Sequence, residues 1–198
     1  MNPTESVAGQ TSCIYPVILS VPEDVRSLKG GDRVNLLSRY AREALKLSAG
    51  KKNIILEKLL KDRKGVPLPF EGNYWSLTHK PDYVGAVVAP EPTGIDIERF
   101  KEVSGAMVRK IAGSREWRLS DAGPHVDFFR FWTAKEAVLK AVGVGMKGLS
   151  SCRITRLVDE THMETDYKGR RFSIEHLYFN GHIAAVVDNG FCVEWTVV

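Results

Sequence analysis

An α+β fold of two pseudo-symmetric half-domains, each a helix packed on a small, mostly antiparallel sheet, is predicted by three features of this 198-residue chain. Short β-branched runs bounded by Pro, Gly and Asn-Gly read as strands. Two longer stretches carry apolar residues at helical spacing, one in each half. A strand, turn, strand pattern occurs twice, first over 83–98 and again over 182–195, and this points to an internal repeat. The halves are placed at residues 1–93 and 94–198.

Residues 14–21 form an apolar run ended by Pro22 and read as the first strand. Asp32 is the expected N-cap of a helix in which Val34, Leu37, Tyr40, Ala41, Ala44 and Leu45 keep helical period to about Ser48. Arg33, Arg39, Arg42 and Lys46 decorate its solvated face. The spacing predicts a second helix over 52–61, stopped by Gly65 and Pro67. Strands follow at 74–77 and 83–89, with a loop over 78–82, and a turn at 90–93 leads into another strand at 94–98. In the second half, helices are expected at 105–112 and 127–142, the latter stopped by Gly143-Val144-Gly145-Met146. The chain then runs through C-terminal strands to a hairpin, 182–188 and 191–195, turned by Asn189-Gly190.

Two of these elements concentrate chemistry. In Gly94-Ile95-Asp96-Ile97-Glu98, strand alternation puts both isoleucines on one face and both carboxylates on the other. In Trp132-Thr133-Ala134-Lys135-Glu136-Ala137-Val138-Leu139-Lys140, Trp132, Glu136 and Lys140 fall on one helical stripe, with Lys135 and Leu139 on the neighbouring stripe. Each run alone also fits a plain structural role, a solvated strand edge or an i,i+4 ion pair worth a few tenths of a kcal/mol. If Glu136 meets the strand, three anions crowd one spot, each pair repelling by roughly 4 kcal/mol at about 4 Å and an effective dielectric near 20. Such an all-oxygen set calls for a hard cation such as Mg2+, with Mn2+ as a substitute.

Gly-Ile-Asp-Ile-Glu, followed by Phe131-Trp132-Thr133-Ala134-Lys135-Glu136-Ala137-Val138-Leu139-Lys140-Ala141, resembles the signature pair of the 4'-phosphopantetheinyl transferase superfamily. Trp75-Ser76-Leu77-Thr78-His79 resembles that family's Asn-Leu-Ser-His element and stands in the expected order. Lys64-Gly65-Val66-Pro67 is similar to its Gly-Lys-Pro element, with valine where lysine is usual. The resemblance covers residues 60 to 145 and, with the chain length, implies the Sfp type: two halves in one chain, a monomer, with the active site between the halves. It implies transfer of 4'-phosphopantetheine from coenzyme A to a serine of an apo acyl or peptidyl carrier protein, with release of 3',5'-ADP. By position, Asp96, Glu98 and Glu136 would be metal ligands. Lys64, Thr78, His79, Lys135 and Lys140 would bind the cofactor, the threonine and histidine at its 3'-phosphate. Glu136 and Lys140 would be catalytic, Glu136 as the base for the serine proton, directly or through a bound water, with a metal-bound water as the alternative base. Lys80 departs from the family pattern, where a small or polar residue is common. Fatty-acid, polyketide and nonribosomal-peptide carriers are all open as partners.

Composition narrows the alternatives. A net charge of +4, from 28 basic and 24 acidic residues, is too mild for a nucleic-acid groove, yet it suits an anionic cofactor and an acidic partner. Mg-dependent nuclease chemistry and a non-catalytic module binding coenzyme A or carrier protein stay open as alternatives. No apolar run reaches membrane-spanning length, and residues 1–12 lack the pattern of a signal peptide, so no membrane partner and a cytoplasmic location are expected. Cys13, Cys152 and Cys192 are far apart, without zinc-ligand spacing, and are expected to be reduced packing residues. His125, His162, His176 and His182 show no metal-ligand spacing, and there is no nucleophile elbow or Walker sequence.

Overall fold

The computed structural model describes residues 12–198, and of residues 125 and 126 only the helical backbone. The N-terminal signal-peptide question and the side chain of His125 therefore lie outside the described residues. Two short strands, β1 (Cys13–Ile14) and β2 (Val17–Ser20), precede a helical turn α1 (Glu23–Arg26) and the long helix α2 (Gly30–Gly50). Strands β3 (Tyr74–His79), β4 (Tyr83–Ala89) and β5 (Ile95–Arg99) follow. Helices α3 (Gly105–Ile111), α4 (Ser114–Trp117) and α5 (Pro124–Ala141) lead to a 3-10 helix, Gly145–Ser151. The chain ends with β6 (Cys152–Leu157), β7 (His162–Tyr167), β8 (Arg170–Phe179), β9 (His182–Val187), β10 (Cys192–Val193) and β11 (Thr196–Val197).

The repeat lies in the topology. In the first sheet the order is β11-β2-β4-β3, in the second β5-β9-β8-β7-β6. Each half thus runs strand, helix, then antiparallel strands, and its last strand inserts beside its first: β4 against β2, β9 against β5. Helix α2 packs on β2, β3 and β4, and helix α5 on β5 and β9. After β4 the chain crosses to the second sheet, and after β9 it crosses back, where β11 pairs in parallel with β2. Ile14, Val87, Ile95 and Val186 form one buried cluster between the sheets, and Ile18, Ile97 and Ala184 another.

Three local expectations are corrected. Residues 52–61 are not helical. Helix α2 ends at Gly50, Asn53 takes the left-handed conformation (φ 54°), and the chain leaves extended, with Ile54, Leu56 and Leu59 leaning on the first core while Ile55 is 78% exposed. The Asn189-Gly190 turn exists, both residues having positive φ, but no hairpin follows. Strand β9 already pairs with β5 and β8 on its two sides, so β10 pairs instead with β1. Asp32 lies in the first turn of α2 rather than at its N-cap, which is Lys29, and there its charge still favours the helix N-terminus.

Candidate active site

Strand β5 and helix α5 meet at unusually short range because Gly94 has no side chain. A Cβ there would lie 1.9 Å from the Ala137 carbonyl oxygen and 2.9 Å from the Ala141 amide nitrogen. That contact sets the helix stripe of Glu136 and Lys140 over the carboxylate face of the strand, while Ile95 and Ile97 are fully buried between the sheets.

Asp96 is the centre of the group, at 2% exposure. Its Oδ1 accepts from the Thr78 hydroxyl (3.0 Å) and from Lys140 Nζ (2.9 Å), which also donates to the Ile95 carbonyl (2.8 Å). Lys80 Nζ donates to Glu98 Oε1 at 2.7 Å. Three carboxylates therefore share two ammonium groups, and the surplus negative charge falls on Glu136. Burial and then the Asp96 charge raise the Glu136 pKa, with Glu98 adding to them against Lys140 and Lys80. Burial opposes the Lys80 ammonium, but Asp96, Glu98 and Glu136 outweigh it and raise its pKa. Burial, followed by Lys140, Lys80 and Lys61, lowers the His79 pKa, so that the ring is neutral at pH 7.

A divalent cation fits this set on one observation above all: Asp96 Oδ2 is buried and has no hydrogen-bond partner among the described residues. An acceptor left bare in this way is costly unless a ligand completes it. The all-oxygen donors match a hard ion. Among the described residues the three carboxylates do not close to within 4.8 Å of one another, so a shared ion requires side-chain rotation.

Glu136 and Lys140 also line a cleft of about 760 Å3 between the two halves. Lys61, Lys64 and Lys147 bring further positive charge to it, and Val66, Trp75, Leu139 and Met146 give it an apolar wall. The floor is shaped by the end of α5, where Gly143 (φ 69°) forms a Schellman turn: its amide and that of Val144 reach back to the carbonyls of Lys140 and Leu139. A Cβ on Gly143 would lie 2.7 Å from Val66, so glycine lets the 60s loop close on the helix end.

Of the residues expected at the site, Asp96, Glu98, Glu136, Lys140 and Lys64 lie on this strand, helix and cleft. Thr78, His79 and Lys135 are not among the cleft walls. Thr78 is 3% exposed and its hydroxyl is committed to Asp96. His79 stands at the end of β3, where the residue keeps solvent-exposed surface while its ring is partly desolvated by its neighbours. For Lys135 the expected cofactor contact is corrected: the side chain is 2% exposed and points into the second half, giving an ion pair to Glu116 (2.6 Å) and a hydrogen bond to the Ile111 carbonyl (2.7 Å). Glu116 in turn accepts from the amides of Gly113 and Ile154, so this pair fastens α3, α4 and β6 to α5. Lys135→Ala should therefore destabilise the fold by about 3–5 kcal/mol, as expected when one member of a buried pair is removed. Chemical denaturation would check this, and a variant as stable as wild type would show that the Glu116 pair does not fasten these elements.

Lys61, Lys147 and the Lys80–Glu98 pair were not assigned from the sequence. The clustering of Lys61 and Lys64 beside a turn was the available signal for the first; nothing local marks Lys147, which the 3-10 helix after α5 brings round.

The family model described as the 4'-phosphopantetheinyl transferase superfamily matches residues 92–187, which run from just before β5 through α5 to the end of β9. The chain is 29% identical over 147 residues to the 4'-phosphopantetheinyl transferase gsp of Aneurinibacillus migulanus, covering 72% of this chain and 59% of that protein. It is 35% identical over 83 residues to the 4'-phosphopantetheinyl transferase psf-1 of Bacillus pumilus, covering 39% of this chain and 36% of that protein. The matches thus span less than two thirds of either relative. These likenesses agree with the mixed helix and sheet architecture: residues 92–187 are similar to the 4'-phosphopantetheinyl transferase superfamily, and the chain is similar to two transferases of that name.

Proposed function

We propose that the protein transfers the 4'-phosphopantetheine arm of coenzyme A to a serine hydroxyl of an apo acyl or peptidyl carrier protein, releasing 3',5'-ADP. The observation that carries this reading is that Glu136 and Lys140 belong at once to the buried acidic group and to the lysine-lined cleft. A pyrophosphate lying in the cleft would have anion-binding groups on one side and the carboxylates on the other.

In this reading Lys61, Lys64 and Lys147 attract the phosphates of coenzyme A, and the apolar wall of Val66, Trp75 and Met146 takes the adenine ring. Asp96, Glu98 and Glu136 would hold Mg2+ or Mn2+, which when bound would supply positive charge to the pyrophosphate as its anhydride bond breaks. Lys140 is held in place by Asp96 and the Ile95 carbonyl and adds charge at the leaving phosphate. The serine oxygen forms the new P–O bond, the anhydride P–O bond breaks, and its electron pair leaves with 3',5'-ADP. The serine proton passes to Glu136, directly or through a bound water. A neutral His79 can offer one N–H to a phosphate, and a phosphate beside it would favour its protonation. The proposed form is a cytoplasmic monomer. In the structure, no helix among the described residues is long and apolar enough to cross a membrane.

The test is incubation with coenzyme A, Mg2+ and a panel of apo carrier proteins from fatty-acid, polyketide and nonribosomal-peptide systems. Intact-protein mass should show gain of the arm on at least one; no gain on any carrier would sink the proposal. Glu136→Gln should cut the rate between about 10²- and 10⁴-fold and abolish the acidic limb of the kcat/KM profile. In the metal-free protein the Glu136 pKa is raised. A raised carboxylate contributes stability below its unfolded pKa and loses it as pH rises through the folded value. At neutral pH the charge is therefore a burden on the metal-free fold, and Glu136→Gln should raise Tm while it removes activity.

A further inference from the structure

The cysteines expected only to pack fall into two classes. Cys152 is 1% exposed in the second core. Cys13 and Cys192, from opposite ends of the described chain, are half-buried and stand directly opposite each other where β1 and β10 pair in parallel. Glu194, two residues beyond Cys192, projects from the same face of its extended segment. One ligand atom from each of Cys13, Cys192 and Glu194 lies within 4.8 Å of the others. None of the three lines the cleft.

We propose that Cys13, Cys192 and Glu194 form a binding site for a thiophilic divalent cation, zinc above all, which clamps β1 to β10. Two sulfurs and one carboxylate oxygen give three of the four tetrahedral positions of zinc, and the exposed side of Glu194 leaves the fourth to water. Two thiolates on one zinc, each at about 2.3 Å from the metal, sit about 3.8 Å apart, so the observed cluster needs only a small contraction. The backbone fixes this approach: the Cys192 amide donates to the Ser12 carbonyl and the Glu194 amide to the Ile14 carbonyl.

The three groups crowd potential anions into one spot, and a dication turns that crowding into attraction. The clamp would act where the C-terminal segment recrosses to the first sheet, since β11 pairs with β2 immediately after β10. It is independent of the transferase reading.

The probe is cobalt(II), added to the full chain under a phosphine reductant. Wild-type protein should take one equivalent with a thiolate-to-cobalt charge-transfer band, displaced by zinc. The band should vanish in Cys13→Ser and Cys192→Ser, weaken at least tenfold in affinity in Glu194→Gln, and persist in Asp96→Asn. Zinc at a hundredfold excess over Kd should raise the wild-type Tm by about 5 °C or more and leave Cys192→Ser unmoved. Should Cys13→Ser not fold, Cys192→Ser and Glu194→Gln decide the matter. No band, a band surviving either cysteine substitution, or a Cys13–Cys192 disulfide that persists in reductant would overturn the proposal.

Discussion

Asp96→Asn should yield a folded protein that binds Mg2+ or Mn2+ more than about 10²-fold more weakly and transfers no detectable phosphopantetheine. Asp96 is where the site's constraints converge. One of its oxygens holds Thr78 and Lys140, and the other is bare and buried. An amide keeps the shape but removes the charge, so two carboxylates then face two lysines and the local attraction for a dication falls away. The fold should tolerate the change, because Lys140 retains the Ile95 carbonyl and Glu136 is relieved of its largest charge repulsion. Titration calorimetry with Mn2+ measures the metal loss, and denaturation confirms the fold. The Glu136 pKa should fall as the Asp96 charge disappears, which carboxyl-carbon NMR can follow. Metal affinity and transfer both near wild type in a folded Asp96→Asn protein would refute the ligand assignment.

Much of this centre was legible because the chemistry sits on regular elements. The alternation in residues 94–98 states which side of β5 carries the carboxylates, and the i,i+4 spacing of Glu136 and Lys140 states that they share a helix face. The same spacing puts Lys135 on another stripe. Its role at a phosphate came from the family likeness, whereas its helical position leads it to Glu116. What stayed hidden depends on contacts between elements. The 52–61 run has apolar residues at 54, 55, 56, 59 and 60, a set that fits a helix or an extended chain. Packing on α2 and the left-handed Asn53 chose the second. Asn189-Gly190 signals a turn but says nothing of which edge is free, and β9 had none. The pairing of Cys13 with Cys192 was equally invisible, since it arises from a crossover between sheets.

The glycine that opens the acidic strand gives the other large effect. Gly94→Ala should destabilise the protein by about 3 kcal/mol or more, and whatever folds should have lost transfer. The new methyl would lie 1.9 Å from the Ala137 carbonyl oxygen, and its three nearest neighbours all belong to the helix backbone. No rotamer can relieve that overlap. Nor can the strand recede, because the Gly94 carbonyl accepts from the Val187 amide (2.9 Å) and the Thr93 hydroxyl donates to the Val187 carbonyl (2.9 Å). Relief must come from lifting α5, whose Ala134 and Ala137 are fully buried by this contact. Glu136 precedes Ala137, so the same displacement carries the proposed base and Lys140 away from Asp96. Gly31→Ala is the control: it lies in the first turn of α2, and a Cβ there meets nothing within 4 Å among the described residues. Alanine there should be neutral or add up to about 1 kcal/mol through helix propensity. Urea denaturation of the two variants side by side should separate them by several kcal/mol. A Gly94→Ala protein as stable and as active as wild type would show that close approach of β5 to α5 is not what assembles the site.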